Sequence, residues 1–379
     1  GWNGLDRADV VVTSHTLFRI DCEHWKNREL AGVVIDEAQA AKNPRTQLYR
    51  YLKDLPVAWR VCISGTPIEN SLEDLWSLMS LAVPGLLSSH SSFNEKFRRP
   101  IEAGRSPDLL NLLHSLIAPF VLRRTKEEVA PELPERVETL LPVPLGRKQR
   151  QIYDRYLTRE RARLLHLELE NDTRERFEVL AALTRLRQLS LDPALVDQRY
   201  DSVGSAKIDL LCEHLEQILP LGHKVLVFSQ FVAFLERIRR SLDQRGIVSL
   251  LLEGKTRNRH AVIDEFQHGD VQVFLISLKA GGVGLTLTQA DYVYMMDPWW
   301  NPSVEAQAVN RAHRIGQDRR VNVYRLVAQD TIEEKVCQLQ AHKQLLVDSV
   351  VGQNLGEGRS STDIQQLLKL IQEDRDGRV

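Results

Sequence analysis

Val271-Gln272-Val273-Phe274-Leu275-Ile276-Ser277 runs straight into Leu278-Lys279-Ala280-Gly281-Gly282-Val283-Gly284-Leu285-Thr286-Leu287-Thr288. An almost unbroken apolar and β-branched run suits a strand buried on both faces of a parallel sheet. Glycines placed directly after it can present bare backbone N–H groups to an anion such as phosphate. Comparable runs recur at Asp9–Thr13, Gly32–Ile35 and Arg60–Ser64, and again at Lys224–Phe228, Ile247–Leu252, Tyr292–Met296 and Val321–Val327. Each is followed by a helical pattern, and that alternation predicts α/β layers. Between the two groups, Leu72 to about Tyr200 carries almost no strand signal. Helical stretches are predicted there at Ser71–Leu81, at Asp108–Leu116 and along the Arg-, Glu- and Leu-rich Arg147–Leu189. Pro131, Pro134, Pro142 and Pro144 interrupt this region, since proline continues neither a helix nor a central strand.

The chain has 379 residues, 50 basic against 51 acidic, and a hydrophobic share of 43%. Such a composition excludes low complexity and wholesale disorder, and it allows two or three domains. The near-neutral charge argues against nucleic-acid binding by a bulk positive field and leaves room for a local basic track. The longest nearly apolar stretch, Leu109–Leu122, is interrupted by Asn111 and His114 and falls short of a membrane span. Cys22, Cys62, Cys212 and Cys337 form no CxxC pair and read as reduced thiols of a cytosolic protein.

Three further strings carry chemistry. Val33-Val34-Ile35-Asp36-Glu37-Ala38-Gln39 places two carboxylates at a strand's carboxyl end, where open α/β sheets bind ligands. In nucleotide hydrolases the first of such a pair holds Mg²⁺ and the second orients and deprotonates the attacking water; capping of the next helix is the plainer alternative. Ser64-Gly65-Thr66-Pro67, at another strand end, suits a switch loop or a simple Gly-Pro turn. Asp297-Pro298-Trp299-Trp300-Asn301-Pro302 leads into Gln307-Ala308-Val309-Asn310-Arg311-Ala312-His313-Arg314-Ile315-Gly316-Gln317. A helix through this segment would set Arg311 and Arg314 on one face, aimed at a single anion. Trp299 and Trp300 would wedge the motif against its domain, base stacking being the alternative. Cys212 and His214 read as core packing rather than metal ligands.

Taken in order, DEAQ, SGTP, FSQF (Phe228–Phe231), LKAGGVGLTLT, DPWWNP and QAVNRAHRIGQ resemble the Swi/Snf-type ATPases of helicase superfamily two over nearly the whole chain. Leu122-Arg123-Arg124-Thr125-Lys126, Leu186-Arg187-Gln188 and Asp192-Pro193-Ala194-Leu195 add to the likeness, and Gln39 resembles the bacterial branch. The resemblance implies an α/β fold of two RecA-like lobes with a helical insertion between them. The divisions are the C-terminal part of the first lobe at 1–71, insertions and a Pro-rich connector at 72–205, the second lobe at 206–335, and a helical tail at 336–379. It implies an ATP-dependent motor that moves on double-stranded DNA without separating the strands and acts on DNA-bound protein complexes. ATP and Mg²⁺ would be the cofactors, with no membrane, no other small metabolite, and a cytoplasmic location, nucleoid-associated if the protein is bacterial. Asp36 would bind Mg²⁺ and Glu37 would be the catalytic base. Ser64, Gly65 and Thr66 would couple nucleotide to DNA. Gly281, Gly282, Gly284 and Gln307 would line the cleft, and Arg311 and Arg314 would be arginine fingers.

The sequence departs from the family pattern in one major respect. No G-x-x-x-x-G-K-[ST] loop precedes Asp36, and the decoy Gly254-Lys255-Thr256 has Ser249 where the first loop glycine belongs. The family also places a strand, that loop, a helix and another strand ahead of Val10. The expectation is therefore a fragment, inactive alone, of a longer protein. Thr286 in place of a common Asn, and Ala41 in place of a larger apolar residue, are milder departures. A non-catalytic DNA-binding module and an RNA helicase of the same superfamily are the alternatives.

Overall fold

The computed structural model describes residues 7–66, 68, 71–103, 107–164, 173–281 and 285–351. They form two compact units, one of residues 7–123 with 342–351 and one of residues 124–341.

In the first unit, β1 (Leu30–Ile35) and β2 (Val57–Cys62) pair in parallel, Leu30 opposite Val57 and Ile35 opposite Cys62. The connection is a right-sized crossover: a 3₁₀ turn at Ala38–Ala41, then helix Gln47–Asp54, whose first turn is capped by the Thr46 hydroxyl. Arg60 of β2 closes the other end of that helix by donating to the carbonyls of Leu52, Lys53 and Leu55. Helix Leu72–Ala82 starts from a Ser71/Asp74 capping box. It is apolar nearly all round because it serves two cores. Leu78 and Leu81 pack with Ile35, Tyr49 and Leu52, while Leu72, Leu75, Trp76 and Met79 pack with Phe93, Leu110 and Leu113 of the helices beyond.

Two expectations for this unit fail. Asp9–Thr13 is irregular rather than a strand, with Val10 and Val12 80% and 91% exposed. β-branched residues favour extended backbone, yet a strand exists only against a partner edge, and none of the described residues supplies one there. Nor is the sheet buried on both faces, since Val34, Trp59 and Val61 are exposed. Trp59 lies across Gly32, where a Cβ would sit 2.1 Å from the indole. That close approach is what requires glycine at this position.

The second unit holds a six-stranded, all-parallel sheet in the order β3-β8-β7-β4-β6-β5. The strands are β3 (Arg136–Val143), β4 (Val225–Ser229), β5 (Ser249–Leu252), β6 (Val273–Ser277), β7 (Tyr292–Met295) and β8 (Val321–Ala328). β4 and β6 are buried at every position, as their unbroken apolar runs predict. Helices Ala206–Ile218 and Val232–Asp243 cover one face, packing Leu211, Leu215, Phe234 and Ile238 on Val225, Val227 and Leu275. Helices Arg259–His268 and Pro302–Val309 cover the other, packing Phe266, Ala308 and Val309 around Phe228, Phe274 and Met295.

β3 corrects the reading of the proline region as strandless. Pro142 sits inside it, opposite Val327, and is tolerated because β3 is the sheet's outermost strand with one edge free of ladder bonds. The long Arg147–Leu189 prediction divides into helices Arg147–Leu164 and Thr173–Leu191, which share a core of Ile152, Tyr153, Leu183 and Leu186. Among the described residues no helix is long and apolar enough to cross a membrane.

Candidate active site

In the first unit, Asp36 and Glu37 emerge exposed from the end of β1. The chain turns sharply there. Asp36 Oδ1 accepts from the Glu37 N–H at 2.9 Å, and Glu37 adopts a left-handed backbone, φ 47° and ψ 47°. A non-glycine residue held in that region is strained and is retained where the surroundings over-determine it. The surroundings here are the sheet: Ala38 N–H donates to Ile63 O at 2.9 Å and Ile63 N–H to Ile35 O at 2.8 Å. Side chains continue the tie. Gln39 Nε2 donates to Glu37 Oε2 at 2.5 Å, and its Oε1 accepts from the Ser64 hydroxyl at 2.8 Å. Ser64 Oγ in turn accepts from the Thr66 N–H at 3.0 Å. The acidic pair and the Ser-Gly-Thr loop thus form one hydrogen-bonded unit with Gln39 as its bridge. A Cβ on Gly65 would meet nothing within 4 Å, so the loop has open space beside it.

Whether Mg²⁺ fits can be judged from the donors. Asp36 and Glu37 are hard oxygen donors at an exposed strand end. That matches Mg²⁺, which is usually held by one or two carboxylates together with substrate phosphates rather than by an all-protein cage.

In the second unit, β6 ends in the short helical turn Leu278–Gly281; Gly282 and Gly284 lie outside the described residues. Gln307 is half-buried on helix Pro302–Val309, which is capped by the Asn301 side chain. That helix stops at Val309, so Arg311 and Arg314 stand in successive turns, not on the helix the spacing suggested. Gly316, at φ 100°, supplies the left-handed residue that takes the chain out of those turns. The arginines still converge. Arg311 reaches the Leu285 carbonyl at 3.5 Å and Arg314 the Thr286 hydroxyl at 3.4 Å, both on the segment that follows Gly284 in sequence, while Leu287 N–H donates to Arg311 O at 2.9 Å.

The turn is held from behind by residues that the sequence reading did not single out. Buried Gln317 donates to the carbonyls of Ala290 (2.8 Å) and Ala312 (3.1 Å). Buried His313 donates through Nε2 to Pro134 O at 2.8 Å, which fixes its tautomer. Lys126 Nζ donates to Asn310 Oδ1 at 2.8 Å and His313 O at 2.6 Å. Gln317 and His313 fall inside the string already quoted. Lys126 also sits in a quoted string, but a separation of 184 residues hid its partner.

The Trp-Trp segment is wedged inward. Asp297 is buried, accepts from the Ser229 hydroxyl and the Gln230 N–H, and pairs with Arg187. Burial raises its carboxyl above the usual range, and the Arg187 charge opposes that rise. Cys212 packs in the core beside Leu211 and Leu215.

Two α/β units, one carrying an acidic strand end and the other an arginine turn against Leu285 and Thr286, have the build of the helicase-like ATPase class. The comparisons with known proteins agree. The SNF2-related domain matches residues 3–195 and the helicase conserved C-terminal domain matches residues 206–316. The chain is 34% identical over 375 residues to the putative ATP-dependent helicase/translocase YwqA of Bacillus subtilis, covering 96% of this chain and 40% of the relative. It is 34% identical over 367 residues to an ATP-dependent helicase of Mycoplasma pneumoniae (96% and 35%), and 33% identical over 380 residues to chromodomain-helicase-DNA-binding protein 1-like of Danio rerio (96% and 36%). The solved C-terminal part of the Fun30 ATPase domain superposes with a TM-score of 0.50 at 27% identity, covering 63% of this chain and 99% of that one. The chain belongs to the SNF2 family of ATP-dependent helicases, and its units are of the RecA-like kind. It spans between a third and two fifths of the length of these three relatives.

Proposed function

We propose that the full-length protein is a DNA-stimulated ATPase that translocates along duplex DNA. The observation that carries this reading is the pair of half-sites: Asp36, Glu37, Gln39 and Ser64 tied together in one unit, and Arg311 and Arg314 converging on residues 285–286 in the other. Each is incomplete alone. In the proposed reaction, Asp36 holds the Mg²⁺ that accompanies ATP, and Glu37 orients and deprotonates the attacking water. Arg311 and Arg314 neutralise charge that builds on the γ-phosphoryl oxygens. The Ser64–Thr66 loop, joined to Glu37 through Gln39, links nucleotide state to DNA contact. The Danio rerio relative is by name a DNA-binding protein, and the near-neutral charge of this chain favours a local track over bulk attraction. The phosphates need a cradling loop that this sequence does not contain, so the 379-residue chain by itself is expected to turn over ATP poorly.

Arg314→Ala in the full-length protein tests the reading. An arginine finger contributes roughly 10³–10⁵ in rate, about 4–7 kcal/mol. ATP turnover should fall accordingly while duplex affinity stays near its original value. Unchanged turnover removes Arg314 from the reaction, and stimulation by duplex RNA in place of DNA would redirect the reading to an RNA helicase.

A further inference from the structure

Arg187, on helix Thr173–Leu191, is only 3% exposed, and its guanidinium has an unusual enclosure. One terminal nitrogen donates to Pro298 O at 2.5 Å and lies 3.5 Å from Asp297 Oδ2. Its central carbon stands over three rings, Trp300 at 5.2 Å and Trp299 and Phe231 at 5.6 Å each. A buried ion pair is weak evidence for stability, because apolar residues of the same volume often serve as well. What a planar, forked cation adds is geometry: it addresses a carbonyl, a carboxylate and flat faces at once, which neither Lys nor Met can do.

The segment so gripped is the one that aims the arginine turn. Trp299 N–H donates to Glu305 Oε1 at 2.6 Å, and Glu305 is 1% exposed on helix Pro302–Val309. Arg325 of β8 pairs with the other Glu305 oxygen, and Gln340 donates to both Trp299 O and Glu305 Oε1 at 2.5 and 2.6 Å. The helix thereby fixed carries Gln307, and the chain reaches Arg311 two residues after its last turn. Among the described residues, Arg187 is the one charged group in this chain of contacts that comes from helix Thr173–Leu191.

We propose that Arg187 is a positioning residue for ATP hydrolysis, holding residues 297–305 so that Arg311 and Arg314 are presented in a single arrangement. The inference rests on the reading of that turn as the element facing the phosphate. It assigns helix Thr173–Leu191 a part in the chemistry, transmitted through the aromatic box, without contact with nucleotide.

The test compares the unsubstituted full-length protein with Arg187→Lys and Trp300→Leu, measuring ATPase kinetics at saturating duplex DNA, duplex affinity and the melting temperature. Lys keeps the charge and loses the plane; Leu keeps apolar volume and removes one ring. Misplacement of the order of an ångström is expected to lower kcat about tenfold to a hundredfold in Arg187→Lys and in the same direction, by less, in Trp300→Leu. KM for ATP and duplex affinity should hold within about twofold, because the loss is confined to the transition state. A folded Arg187→Lys protein with unaltered kcat overturns the proposal, as does a kcat loss no larger than the loss of folded protein. Should Arg187→Lys not fold, a folded Trp300→Leu protein with unaltered kcat overturns it equally. An unsubstituted protein that does not hydrolyse ATP overturns the functional reading and this inference with it, whereas normal turnover insensitive to both substitutions overturns this inference alone.

Discussion

At the scale of single residues, the strained backbone of Glu37 and the bridge through Gln39 belong together. A left-handed glutamate is disfavoured unless something fixes both sides of it. Here the ladder bonds of Ala38 and Ile63 fix the backbone, and Gln39 fixes the carboxylate. Glu37→Gln should therefore keep the fold and nucleotide binding while lowering turnover by about 10²–10⁴, the usual contribution of a general base. Single-turnover hydrolysis slowed to that extent with ATP binding retained is the result that fits; ordinary turnover would place the base elsewhere. Two thiols give a second residue-level expectation. Burial pushes Cys62 and Cys337 up to about 11 from an ordinary 9.0. The unfolded chain releases these protons near 9 and the folded chain keeps them to about 11, so their contribution to stability is whole below pH 9 and is lost as pH climbs through 11. Thiolate absorbance followed against pH should show all four thiols titrating near 9 in denaturant, with Cys62 and Cys337 held back to about 11 in the folded protein.

At the scale of elements, the buried pair Lys207–Glu333 joins parts far apart in sequence. Lys207 Nζ donates to Met296 O at the end of β7, to Leu326 O of β8 and to Glu333 Oε2, at 2.7, 2.8 and 2.6 Å. Breaking such a pair leaves a charge stranded, so Lys207→Met should cost about 3–5 kcal/mol, and adding Glu333→Leu should recover much of it. Urea unfolding of the single and double variants decides; a double variant weaker than the single one would contradict the account. The same elements show what the sequence could tell. β4 and β6 were legible because strands covered on both faces must be apolar throughout. β3 was not, since a free edge lets Pro142 into a strand. Val10–Val12 misled in the opposite way: their composition is that of a strand, but pairing is decided by neighbours that composition does not encode. The Asp36-Glu37 string placed its carboxylates at a strand end, where β1 does end, whereas the Arg311–Arg314 spacing suggested a helix that in fact stops at Val309. Their supports were hidden, because Lys126, Gln317 and Arg187 act on partners that only the fold brings near.

At the scale of the whole molecule, the consequence follows from division of labour. Asp36 and Arg314 are 278 positions apart and belong to different compact units. On the proposed function, a phosphate that met both would draw the units together and its hydrolysis would release them. Donor and acceptor dyes on exposed positions such as Arg19 of the first unit and Arg239 of the second should report it in the full-length protein. With duplex DNA present, a non-hydrolysable ATP analogue should shorten the distance and ADP should restore it. Arg314→Ala should weaken the nucleotide response and leave DNA binding intact, because the lost contact is to phosphate and not to the duplex. A distance that ignores nucleotide in the unsubstituted protein would mean that the two half-sites never share one ATP.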